Sequence, residues 1–214
     1  MSYPIAPSSF KRLFLQLPGC LLLLAASVAY ADSSEMTRIL QQHPTLAGFE
    51  ICHSGGCADV SHVALAADDW QQVRAVFEPM PGNAEDERKC IAQAIGVMET
   101  LVGEKTGTST DRGGTFGNSA YPGQMDCNDE AINSTTYMKL MQQDGLINFH
   151  EILDTKRRGF FINGWPHSTA AIKEITGGQS FAVDSWFYDN GVPAETLPLE
   201  LWKSGWKPEH SSAH

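Results

Sequence analysis

The chain is 214 residues long and carries 15 Lys and Arg against 25 Asp and Glu, a formal net charge of −10. That length fits one well-packed domain and is short for two. The acidic excess makes nucleic acid and anionic membrane surfaces poor partners, because a surface of that sign repels phosphate.

Near the start, Lys11 and Arg12 precede an apolar stretch from Leu13 to Val28 that closes on Ala29-Tyr30-Ala31, the small-x-small pattern of signal-peptidase sites. Gln16, Pro18 and Gly19 interrupt it, whereas a spanning helix needs roughly 20 apolar residues in a row. Residues 1–31 are therefore read as a signal peptide, and 32–214 as a single exported, periplasmic domain with no stable membrane insertion. Losing Lys11 and Arg12 with the leader leaves 13 bases against 25 acids, a net of −12. The oligomeric state is left open.

Asp32 to Gln42 reads as a short helix closed by His43-Pro44. Phe49 to Cys52 and Val60 to Ala64 read as strands flanking Cys52-His53-Ser54-Gly55-Gly56-Cys57, whose glycines let the chain turn back and bring the sulfurs together. A local disulfide is expected there, in keeping with export. A metal site from Cys52, Cys57 and His53 or His62 lacks the second cysteine pair or tight His cluster such sites use, so neither metal nor cofactor is assigned.

Ala67 to Glu78 repeats Trp70, Val73 and Phe77 at helical spacing. A longer helix, about Ala84 to Val102, sets Ile91, Ala94, Ile95, Met98, Leu101 and Val102 on one face, with Cys90 beside the stripe as a buried, inert thiol. Gly103 to Gln124 is rich in Gly, Thr, Ser, Asn and Pro, a loop long enough to suggest function. It leads into a second main helix, Cys127 to Gln143, which stops at Asp144-Gly145 and sets Cys127, Ala131, Ser134, Met138 and Met141 on one stripe. Leu146 to Leu153, Gly159 to Asn163, His167 to Lys173 and Phe181 to Phe187 read as strands, the last two an antiparallel hairpin turning at Thr176-Gly177-Gly178. The Pro- and Trp-rich tail from Asn190 is expected to wrap the surface.

The chemistry concentrates in the second half. Cys127 opens a helix that Asp126 is suited to cap, and free amides there favour a thiolate, although Asp126, Asp129 and Glu130 oppose a further negative charge. His167, approached through the rigid Trp165-Pro166, is the candidate base, and Asp184 on the neighbouring strand would orient it. Gln124 or backbone amides near Cys127 would hold the oxyanion. Direct opposition of His167 and Asp184 requires a hairpin connection centred between Ile175 and Thr176. A tight turn at Gly177-Gly178 instead puts Tyr188 opposite His167 and moves Asp184 about 13 Å along the strand. A Gly-x-Ser-x-Gly elbow, His-Glu-x-x-His and a phosphate-binding loop are all missing from the sequence.

Asp126-Cys127-Asn128-Asp129 at a helix start, followed by His167 and Asp184 at gaps of 40 and 17 residues, resembles the transglutaminase-like cysteine peptidases, a branch of the papain-like architecture. The resemblance covers about Gly123 to Phe187. It implies an α+β fold with a papain-like, transglutaminase-like core, the catalytic helix packed on an antiparallel sheet, and acyl transfer through a thioester. The peptidoglycan-cleaving cysteine peptidases are a poorer match, since their second His would fall near Gln179. The expected function is an exported cysteine hydrolase or acyltransferase acting on a peptide or isopeptide amide through Cys127, His167 and Asp184. The alternative is a catalytically inactive papain-like binding module of the cell envelope, recognising partners through its cleft or through Trp186, Trp202 and Trp206.

Overall fold

The structure is a computed structural model that describes Met1 and residues 34–116, 122–159 and 166–209. The expected leader lies outside the described residues, as do positions 160–163 of the strand expected at Gly159 to Asn163.

A short helix α1 (34–40) leads into an antiparallel hairpin, β1 (Phe49–His53) with β2 (Asp59–Val63). Helices α2 (Ala67–Val76), α3 (Ala84–Thr106) and α4 (Cys127–Gln143) follow. The second half is an antiparallel sheet in sequential order, β3 (His150–Arg158), β4 (His167–Glu174), β5 (Ser180–Asp184) and β6 (Glu195–Pro198), ending in α5 (Leu199–Lys203). The class is α+β, with helices and antiparallel sheets.

α4 is the central element. The expected stripe faces the sheet, but Asp129, Asn133, Thr136, Tyr137 and Leu140 on its other sides are buried too, because β1 and α3 also pack against it. A helix enclosed this way must satisfy its polar side chains internally. Asn133 accepts from the Cys52 amide at 2.7 Å and donates to the Cys52 carbonyl at 2.8 Å, while Thr135 bonds back to the Ala131 carbonyl at 2.7 Å. Asp144, at the end of α4, accepts from Trp70 Nε1 and Arg74 of α2. The Glu87 carboxylate of α3, fully buried, takes the amides of Asn148 and Phe149 and His150 Nδ1 at 2.6 to 2.9 Å, fixing α3 to the start of β3.

Four expectations are corrected. The strand expected to end at Leu153 instead runs unbroken from His150 to Arg158, with an irregularity between Leu153 and Lys156. Charged residues suit it because β3 is an edge strand. The tail does not merely wrap the surface: it adds β6 to the sheet and buries Trp202 completely. Helix α3 continues four residues past Val102, to Thr106, where Gly107 takes the left-handed C-cap at φ 81°. Cys90 is only partly buried, although its thiol is pushed up by burial and by Asp86 and Glu87.

Candidate active site

The segment 122–125 is tied to Gly107 before it reaches α4. Gly123 sits at φ 82°, and a Cβ there would lie 2.2 Å from the Gly107 carbonyl oxygen, so this crossing accepts no side chain. Asp126 then caps α4, accepting from the amides of Asn128 and Asp129 at 2.9 and 3.0 Å, as its position before a helix-forming run indicated.

The disulfide loop braces the same helix start. Cys52 and Cys57 are joined, and Ser54, Gly55, Gly56 and Cys57 all have left-handed backbones, with φ between 59° and 89°. Such a run turns backbone N–H groups inward to make an anion-binding nest. The nest holds the Asp129 carboxylate, which accepts from Gly55 and Cys57 at 2.7 Å each and from Asp126 at 3.1 Å. Burial pushes Asp129 up to about 7 against those donors. His53 meets Ser54 and Ser61 and His62 pairs with Glu50, so neither imidazole joins the sulfurs as a metal site would need.

On the sheet, His167 Nε2 meets Asp184 Oδ2 at 2.7 Å, with both side chains buried. The register lies between the two anticipated cases. Ala170 pairs with Val183, which sets Asp184 level with Thr169, two residues from direct opposition to His167. The two side chains share a face, and an imidazole spans that diagonal. The loop from Glu174 to Gln179, closed by the Gly178 amide on the Glu174 carbonyl, sets this offset.

Trp202, expected from the sequence only as a recognition residue, and Arg158, which it left unassigned, complete the surroundings. Trp202 of α5 donates its indole N–H to the same Asp184 oxygen at 2.6 Å. Arg158, paired with His167 across β3 and β4, lays its guanidinium over the Trp202 ring at 4.5 Å and donates to the Trp202 carbonyl. Burial lowers the Arg158 pKa, while Asp184 and Cys127 act to raise it, so this cation sits within reach of both. Trp186, Phe187 and Trp202 surround the imidazole, with ring centroids 4.6, 5.3 and 5.5 Å from it. The only sequence signal for this cage was the density of Trp after Asp184. Trp202 is thus a buried wall of the site and not a recognition surface.

Cys127 lies at the head of α4, 7% exposed, and the backbone of Ser168, one residue past His167, favours its thiolate. Burial pushes the thiol up to about 12, the Ser168 amide opposes this, and Asp126, Asp184 and Asp129 add to it. The activation expected from the helix terminus is outweighed, because the sulfur is desolvated among carboxylates. His167 Nδ1 is buried with no hydrogen-bond partner among the described residues, so it is not bonded to the Cys127 thiol. Gln124 is buried, accepting from the Arg112 amide at 3.2 Å and donating to the Thr110 carbonyl at 2.9 Å. One amide hydrogen of its two is uncommitted among the described residues.

Behind the site, Glu99, Asp111 and Glu130 form a buried acidic cluster. Ser185, next to Asp184, donates to Glu130 at 2.5 Å, the Met125 amide to Asp111 at 2.7 Å and the Gly191 amide to Glu99 at 3.0 Å. Burial raises all three carboxyls, Asp111 to about 9, so Asp111 retains its proton at neutral pH.

No family model, curated protein or solved structure matches the chain.

Proposed function

We propose that the protein is a cysteine hydrolase or acyltransferase of transglutaminase-like, papain-related type, exported to the periplasm and acting on a peptide or isopeptide amide. The observation that carries this is the pose of His167. Asp184, itself held by Trp202, takes Nε2, which leaves the Nδ1 lone pair buried and unpartnered among the described residues, on the strand whose Ser168 bonds the first turn of the Cys127 helix. A histidine kept only for packing gains nothing by burying an unsatisfied nitrogen. The Cys52–Cys57 disulfide fits an oxidising compartment.

In this reading the thiol keeps its proton until substrate arrives, consistent with its raised pKa. Nδ1 removes that proton as sulfur attacks the amide carbon, and the C–S bond forms while the carbonyl π pair moves onto oxygen. The Cys127 amide and the uncommitted N–H of Gln124 are the candidate oxyanion donors. The imidazolium, balanced by Asp184, returns its proton to the departing amine as the C–N bond breaks. Water, or a second amine, then releases the thioester. Intact mass spectrometry with a peptidyl vinyl sulfone tests this: wild type gains one adduct, and Cys127→Ala and His167→Ala gain none. An equal adduct on the Cys127→Ala protein overturns it.

The second reading, an inactive binding module of the cell envelope, draws on the sheltered, high-pKa thiol. Failure of every acyl donor to modify a folded wild-type protein favours it.

A further inference from the structure

A cavity of about 140 Å³ opens at the start of the Cys127 helix, lined by α1, the first turns of α4, and β3 with β4. Asn128, which lines it, follows Cys127 and accepts the Ser168 hydroxyl at 2.8 Å. Met36, Leu40 and Ile132 give an apolar lining. The α1 wall is anchored, since Arg38 pairs with Glu35 and Glu50 and Lys139 donates to the Leu40 carbonyl.

The mouth has one charge. Arg157, exposed on β3 and paired in register with Ser168, has no acidic partner among the described residues. Arg157 also belongs to Lys156-Arg157-Arg158, the one run of three bases in the sequence. A pocket that takes several groups of a ligand occupies roughly 300 Å³ or more, so this one suits a single side chain.

We propose that this cavity is a specificity pocket for an acidic side chain of glutamate size in the substrate, next to the amide that Cys127 attacks. Its methylenes lie against Met36, Leu40 and Ile132, and its carboxylate meets the Arg157 guanidinium. The placement next to a scissile amide rests on the reading of Cys127 as nucleophile, whereas the recognition itself does not.

Titration calorimetry of the Cys127→Ala protein with the tripeptides Ala-Glu-Ala and Ala-Gln-Ala separates the two. The expected result is binding of Ala-Glu-Ala about tenfold tighter than Ala-Gln-Ala, a preference abolished in Cys127→Ala/Arg157→Gln and kept in part by Arg157→Lys. Equal affinities, no binding of either peptide, or a preference that survives Arg157→Gln overturns the pocket. An Arg157-dependent preference in a protein whose wild type forms no vinyl sulfone adduct supports the pocket while the nucleophile reading fails.

Discussion

At Cys127 the helix terminus and the Ser168 amide stabilise negative charge, while desolvation and the carboxylates of Asp126, Asp184 and Asp129 oppose it, and opposition prevails. Iodoacetamide labelling of Cys127 in the free protein is therefore expected to keep rising with pH beyond the ordinary thiol range toward about 12. A plateau near neutral pH would show a preformed thiolate instead. Trp202 acts through Asp184. Trp202→Phe keeps an aromatic wall but deletes the donor, and a hydrogen bond to a charged group is worth about 1.5–3 kcal/mol. Acyl-enzyme formation should slow roughly tenfold or more, read as a rate well below the lowered melting temperature of the variant. Sequence reasoning could name Cys127, His167 and Asp184, because helix starts and strand order leave local signals. It could not name Arg158 and gave Trp202 the wrong role, since their places come from a strand pairing and a chain reversal.

Helix α4 combines a strong local signal with dense tertiary bracing. Asp126→Ala should cost about 1 kcal/mol by removing the cap, measured by urea unfolding. Glu87→Gln should cost more, about 3 kcal/mol, because a buried carboxylate with two amide donors and His150 loses its charge while its partners stay buried. The bounds of α4 were legible to the residue, since Asp126 caps one end and Asp144-Gly145 stops the other. β3 was misread because its Asp154-Thr155-Lys156-Arg157-Arg158 segment resembles a connection. An edge strand with polar exposure accepts such residues, and only pairing with β4 shows it.

For the whole molecule, the cluster of Glu99, Asp111 and Glu130 ties the α3 end, the loop before Cys127, α4 and the segment after β5 together through shared protons. Native carboxyls with raised pKa bind protons that the unfolded chain releases. Their contribution to stability is full below the ordinary carboxyl range near 3.8 and is lost as pH rises toward the native value, about 9 for Asp111. Melting temperature should thus fall from about pH 4 to pH 9, and Asp111→Asn should flatten that slope, as differential scanning fluorimetry across the range will show. Read from the chain alone, helix limits, the Cys52–Cys57 bridge and the Cys, His and Asp order were accessible, because caps, glycine turns and apolar periods act over a few residues. The two-residue offset between His167 and Asp184, the enclosure of α4, the cation beside the site and the rise of the thiol pKa were decided in three dimensions. Each depends on burial and on strands meeting from distant parts of the chain, and desolvation is a property of the assembled interior that no local pattern encodes.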